Sequence, residues 1–217
     1  LEVFFAAGGR FFMEQTSETR KEAFNLTDAL RKRLSGFAEP PAAFFNRLGI
    51  MPNTMTILGL VGNIIGAYLL AMGQMTLGGL IILAMGPVDA LDGTMARLRG
   101  QPTSFGAFVD SVTDRYSELV IFGGLLVYYI QQGDWLAITG VYLAAAGSVL
   151  VSYIRARAQS VGYETKVGML TRVERYLVLS PTLIFNIAPI GIWIIAILGN
   201  ITALQRILDV RQQAYKK

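Results

Sequence analysis

The stretch Asp89-Ala-Leu-Asp92-Gly93-Thr-Met-Ala96-Arg97, followed after eight intervening residues by Gly106-Ala-Phe-Val-Asp110-Ser-Val-Thr-Asp114, decides how the rest of this chain is read. The first two aspartates are spaced i, i+3 and the last two i, i+4, so on helices each pair presents its carboxylates from one face. Long apolar runs flank the block. An ionised carboxylate in such a setting costs roughly 2.5–3.5 kcal/mol on insertion scales. Four of them together call for a bound cation, and hard divalent metals take oxygen ligands. The block reads as a metal site at a membrane surface.

The composition agrees. The chain has 217 residues, 53% of them hydrophobic, with a mean hydropathy of +0.47, too apolar for an ordinary soluble domain of this size. It contains neither Cys nor His. That excludes thiolate and imidazole metal ligands, disulfides, a cysteine nucleophile and a Ser-His-Asp triad. Acid–base work must rest on carboxylates, Lys, Tyr or a metal.

The apolar runs predict an all-α membrane protein of six transmembrane helices, at Thr54–Ala71, Leu77–Ala90, Ser117–Ile130, Trp135–Ile154, Tyr176–Ala188 and Gly191–Ala203. Several fall short of the ~20 residues a lone span needs, so the helices must run on into the polar segments. Three connections then share one side: Gly73-Gln74-Met75, Gln131-Gln132-Gly133-Asp134 and Pro189-Ile190-Gly191. They hold no Lys or Arg, and all 19 basic residues fall on the other side. The positive-inside rule places both termini and the aspartates at the cytoplasmic face of a multi-pass inner-membrane protein.

Residues 1–12, LEVFFAAGGRFF, look foreign: Leu1-Glu2-Val3 resembles the remainder of a protease site added for expression, and Met13 is the expected native start. Residues 13–48 form a cytoplasmic juxtamembrane segment. Phe24, Leu26, Leu30, Leu34 and Phe37 recur there at helical spacing beside Arg31, Lys32 and Arg33, predicting an amphipathic helix on the inner leaflet or on the protein's own cytoplasmic face. Pro40-Pro41 is expected to break it before residues 42–48, and Pro52-Asn53 to open the first span. Residues 49–217 form one six-helix domain without internal repeats.

Written as a pattern, the acidic block is D-x2-D-G-x2-A-R-x8-G-x3-D-x3-D, and here the sequence resembles the CDP-alcohol phosphotransferase (CDP-alcohol phosphatidyltransferase) family at Asp89, Asp92, Gly93, Ala96, Arg97, Gly106, Asp110 and Asp114. Physics suggests some of the roles. Gly93 allows close approach of a nucleotide or phosphate, Ala96 and Gly106 suit close helix packing, and Arg97 can pair with phosphate or with a motif carboxylate. The resemblance implies more: a CDP-linked lipid donor whose diphosphate is bridged by two Mg²⁺ or Mn²⁺ ions. Asp89, Asp92 and Asp110 would be metal ligands, and Asp114 the general base, able to share a metal. Pro52, Asn53, Thr56, Thr103 and Ser104 would join Asp89, Gly93, Ala96, Arg97 and Gly106 near the nucleotide. It also implies a homodimer, and nucleic acid is not among the partners. Two other readings of the aspartates exist. One is a salt-bridge knot with Arg97, Arg99 and Arg115; the other is a divalent-cation transporter.

A second pattern bears on the acceptor. Ser152-Tyr153-Ile154-Arg155-Ala156-Arg157-Ala158, then a short Gly-containing loop, then Gly168-Met-Leu-Thr-Arg172-Val-Glu-Arg175 resembles the subgroup that makes phosphatidylinositol phosphate or its archaeal ether-lipid counterpart. Arg155, Lys166, Arg172 and Arg175 would bind the phosphate of a small phosphorylated polyol, inositol phosphate, through charge-assisted hydrogen bonds. Val173 and Asn53 depart from the subgroup's pattern. Glycerol 3-phosphate is the alternative acceptor.

Overall fold

The computed structural model describes residues 38–100 and 103–216. Residues 1–12, expected to be foreign, and the expected amphipathic series from Phe24 to Phe37 lie outside the described residues. Among the described residues the fold is all helical: α1 (residues 38–47), α2 (Pro52–Ala71), α3 (Met75–Leu98), α4 (Ser104–Gln132), α5 (Trp135–Ser160), α6 (Arg172–Ile184) and α7 (Ala188–Tyr215).

Four of these, α2, α3, α5 and α7, are long and apolar enough to cross a bilayer. The other two expected spans differ for separate reasons. α4 has 29 residues, but Asp110, Asp114, Arg115 and Glu118 make its first half polar. α6 has 13 residues, about 20 Å at 1.5 Å per residue, short of a hydrocarbon core of about 30 Å. The spans do run on into polar sequence: the expected 77–90 run is part of α3, which reaches Leu98.

One expectation along the chain needs correction, and another falls at the edge of the described residues. The expected break at Pro40-Pro41 concerns a helix that lies outside the described residues; from residue 38 helix runs through both prolines to 47. The last connection lies at residues 185–187, with Asn186 at φ +57°, and Pro189 falls in the first turn of α7. Asn is among the few side chains that adopt this left-handed conformation readily.

Short links at residues 72–74, 133–134 and 185–187 make successive helices antiparallel. α2 packs on α3 and α4, α3 on α6, α4 on α5, and α7 on both α5 and α6. Contact is close because the facing residues are small. A Cβ added to Gly124 would lie 2.3 Å from the Ala67 carbonyl oxygen, and one on Gly78 2.9 Å from that of Gly66. Such contacts are how helices associate where lipid offers no hydrophobic gain. Ile57, Ile64, Leu77 and Ile197 point outward and exposed, while Asn63, Asp92, Asp114, Arg175 and Arg206 are buried. This inside-out polarity marks a membrane protein whose interior polar groups serve a purpose.

The same end of the bundle gathers the C-termini of α3, α5 and α7 and the N-termini of α2, α4 and α6. α1 closes it from one side, with Ala42 packed against Met55, Leu91 and Met95. Arg99 donates to Asn46 Oδ1 at 2.7 Å and to the Ile50 carbonyl at 2.6 Å.

Candidate active site

Three local devices set the site. The first is the start of α6. Thr171 and Glu174 form a capping box, with the Thr171 N–H donating to Glu174 Oε2 at 2.7 Å, which makes Arg172 the first helical residue and aims it at α3 and α4. The second is Pro87 inside α3. Without an N–H, Pro87 cannot bond the Leu83 carbonyl. The Tyr176 hydroxyl fills the gap: it lies 2.7 Å from the Leu83 oxygen and 2.6 Å from that of Ile82, and accepts from the Gly86 N–H at 2.9 Å. Tyr176 thereby ties α6 to α3 just before Asp89. The third is a buried ion pair one turn below Asp114. Arg175 donates through Nε to Glu118 Oε1 at 2.7 Å and through Nη2 to Oε2 at 3.0 Å, clamping α6 to α4.

On this frame Arg172 Nη2 reaches Asp89 Oδ2 at 2.8 Å and Asp114 Oδ1 at 2.7 Å. Arg172 sits at the head of α6, ahead of its apolar run, with its guanidinium between the two carboxylates. Asp89 rests on Gly59 of α2, where an added Cβ would come within 2.3 Å of its Oδ1. Asp92 is held from two sides: Thr56 Oγ1 donates to Oδ2 at 2.5 Å, and the Gly93 N–H donates to Oδ1 at 2.5 Å. Asp110 is half-buried and near enough for its charge to act on Asp89, Asp92 and Asp114.

Among the described residues no three carboxylates form a ready metal-ligating group. The donor set nevertheless fits a hard divalent cation. Every donor is an oxygen, and a guanidinium already stands between Asp89 and Asp114 as a stand-in positive charge. A cavity of about 50 Å³ adjoins Asp89 and Asp114 and reaches Asn63 and Ser117 inside the bundle.

The residues read as nucleotide contacts lie around Asp92 and Gly93. Asn53 Oδ1 is 3.7 Å from where a Gly106 Cβ would be, and among the described residues the Arg97 guanidinium, 3.5 Å away, is what approaches that position on Gly93. Arg97 is exposed and donates to Thr94 at 2.8 Å; it pairs with no motif aspartate in the structure. Thr103 caps α4 by accepting from the Gly106 N–H at 2.9 Å, with Ser104 exposed beside it and Pro52 and Ala96 half-buried.

The basic residues separate into two kinds. Arg155 and Lys166 are exposed. Arg175 is 2% exposed, and its guanidinium is committed to Glu118 and the Leu170 carbonyl, so it braces the site instead of facing the mouth. Arg115 and Arg206 went unnoticed as members of this cluster. Arg115 lies 3.9 Å from Asp114 and donates to Ser152. Arg206 is buried on the carbonyls of Val151 and Val167, close to Arg115, Arg155 and Arg175. The aspartates' ion-pair partner is chiefly Arg172, not the Arg97, Arg99 and Arg115 set weighed from the sequence. Glu118 and Tyr176 also escaped that reading, though the i, i+4 spacing of Asp114 and Glu118 and a proline inside a span are both visible in it.

Comparison with known proteins agrees with this geometry. Residues 49–205 match the family model described as CDP-alcohol phosphatidyltransferase. A phosphatidylinositol phosphate synthase of Streptomyces avermitilis is 35% identical over 191 residues, covering 81% of this chain and 78% of its own. An archaetidylinositol phosphate synthase of Pyrococcus horikoshii is 35% identical over 167 residues, covering 76% and 86%. The crystal structure of the Mycobacterium tuberculosis phosphatidylinositol phosphate synthase with CDP-DAG bound superposes with a TM-score of 0.75 at 31% identity, covering 80% of this chain and 92% of that one. The same enzyme in complex with manganese and citrate also gives 0.75.

Proposed function

The chain belongs to the CDP-alcohol phosphatidyltransferase family and is a phosphatidyl-transferring enzyme of phospholipid synthesis, and we propose that it joins the phosphatidyl group of CDP-diacylglycerol to a hydroxyl of an inositol phosphate, forming phosphatidylinositol phosphate and CMP. The convergence of Asp89 of α3 and Asp114 of α4 on Arg172 of α6 at one end of the bundle carries this reading.

In the reaction the acceptor oxygen bonds to the lipid-side phosphorus, the bond from that phosphorus to the CMP oxygen breaks, and the acceptor proton passes to Asp114. Asp114 suits that task because it is 7% exposed and lies between the other motif aspartates and the arginines. Two divalent ions, Mg²⁺ or Mn²⁺, on Asp89, Asp92, Asp110 and Asp114 would neutralise the diphosphate and stabilise the departing CMP. Thr56 and Gly93 orient Asp92. The open face of Gly93, with Arg97, Pro52, Asn53, Ala96, Thr103, Ser104 and Gly106 around it, would receive the nucleotide. Arg172, Arg155 and Lys166 would take the acceptor phosphate, with Arg175 holding α6 in place.

The apolar half of α4 and the short α6 complete six spans in this proposal. The distribution of Lys and Arg supports an inner-membrane orientation with the site and both termini facing the cytoplasm. The family resemblance supports a homodimer.

The test is CMP release by purified protein with CDP-diacylglycerol and Mg²⁺, offering inositol 1-phosphate, glycerol 3-phosphate or free inositol. Release driven by inositol 1-phosphate is expected. Release with glycerol 3-phosphate alone would keep the chemistry and overturn the acceptor.

A further inference from the structure

Arg172 has two claims on it. In the structure its Nη2 meets both Asp89 Oδ2 and Asp114 Oδ1; in the proposed reaction those carboxylates hold metal and Arg172 holds the acceptor phosphate. A single guanidinium nitrogen bridging two carboxylates stands where a shared cation would stand, so the two arrangements exclude each other.

We infer that Arg172 is an exchangeable internal cation: a divalent metal at Asp89 and Asp114 displaces it, and the released guanidinium then takes the phosphate of the acceptor. The inference rests on the proposed function and adds a coupling between metal and acceptor. Three observations support it. Arg172 engages the carboxylates through one nitrogen instead of a two-pronged fork, and its side chain is 38% exposed. Arg175, three residues on, binds Glu118 through two nitrogens and is 2% exposed. The helix itself is anchored without Arg172, by Arg175 on Glu118, by Tyr176 on the α3 backbone and by the Thr171–Glu174 box. The side chain can therefore leave while α6 stays. Retaining a cation on the aspartates until metal arrives also avoids bare carboxylates in a poorly solvated site.

Linkage makes the coupling reciprocal: whatever factor metal adds to phosphate affinity, phosphate adds to metal affinity, and such factors typically run from about 5- to 150-fold. The experiment is Mn²⁺ binding by electron paramagnetic resonance on the full chain in detergent, with and without inositol 1-phosphate, for wild type, R172Q and R172K. In wild type, inositol 1-phosphate is expected to tighten Mn²⁺ by about tenfold, within that range. R172Q, having lost the competitor, should bind Mn²⁺ more tightly without phosphate and show less than about a twofold phosphate effect, where the full coupling would be at least about fivefold. R172K, which keeps the charge, should lie between. A wild type whose Mn²⁺ affinity ignores phosphate overturns the inference without any variant. An enhancement that survives in R172Q also overturns it, because phosphate would then be acting on the metal directly, and it leaves the proposed function intact. Wild type that binds no Mn²⁺ removes the metal site and the inference with it.

Discussion

Replacing Glu118 with alanine strikes the clamp between α4 and α6. Arg175 is 2% and Glu118 16% exposed in their side chains, and Glu118 supplies two of the three hydrogen bonds on that guanidinium; the Leu170 carbonyl at 3.2 Å is what remains. An exposed ion pair contributes about 0–1 kcal/mol, but removing one partner of a buried pair leaves an uncompensated charge and costs about 3–5 kcal/mol. The partial exposure of Glu118 lets water reach the vacated space, which places E118A near the low end, about 3 kcal/mol. E118Q keeps an acceptor oxygen and loses the charge, so it should cost about 1.5–3 kcal/mol, the scale of a hydrogen bond to a charged group. The assay is SDS-driven unfolding in mixed micelles for wild type, E118Q, E118A, R175M and E118A/R175M. The double variant should be more stable than the sum of its singles predicts, because no orphan cation is left. Because the clamp also sets Arg172 over Asp89 and Asp114, E118A should raise the acceptor KM more than it lowers kcat. E118A within about 0.5 kcal/mol of wild type, the range of an ordinary surface substitution, would refute the reasoning.

Other substitutions test the site piece by piece. Asp114→Asn should lower kcat by about 10²–10⁴, the usual worth of a general base, in a CMP-release assay, with the unfolding curve little changed. Thr56→Val removes the donor to Asp92 Oδ2 and should weaken Mn²⁺ binding by about 10–100-fold, as loss of a ligand's supporting hydrogen bond does. Tyr176→Phe leaves the Leu83 carbonyl without its partner in the Pro87 gap and should cost about 1–3 kcal/mol by SDS unfolding, with activity falling as Asp89 loosens. Gly124→Ala should destabilise sharply, since its Cβ would meet the Ala67 backbone at 2.3 Å. Gly123→Ala, with nothing within 4 Å, should be neutral or gain up to about 1 kcal/mol from helix propensity.

The site's identity was legible before its geometry. Asp89, Asp92, Asp110 and Asp114 could be picked out because spacing along one helix is a local property, and because carboxylates beside apolar runs demand an explanation. The one-sided distribution of Lys and Arg was equally open to reading. Glu118 was harder to notice, since nothing in its own helix reveals that Arg175 lies opposite. Arg175 itself was read as a free phosphate ligand, because burial depends on neighbours that sequence spacing does not locate.

The sequence by itself determined an all-helical chain with long apolar segments, a polar end rich in arginine, and the four aspartates that belong there. Hydropathy, charge and helical period act over a few residues and need no knowledge of packing. Tertiary structure alone decided the pairings across helices: Arg172 with Asp89 and Asp114, Arg175 with Glu118, and Tyr176 with the backbone freed by Pro87. Helical spacing fixes which residues share a face, but not how that face is turned toward a neighbour. That rotation is set by where backbones can approach closely, at Gly66, Gly78 and Gly124, and from it follows which charges meet.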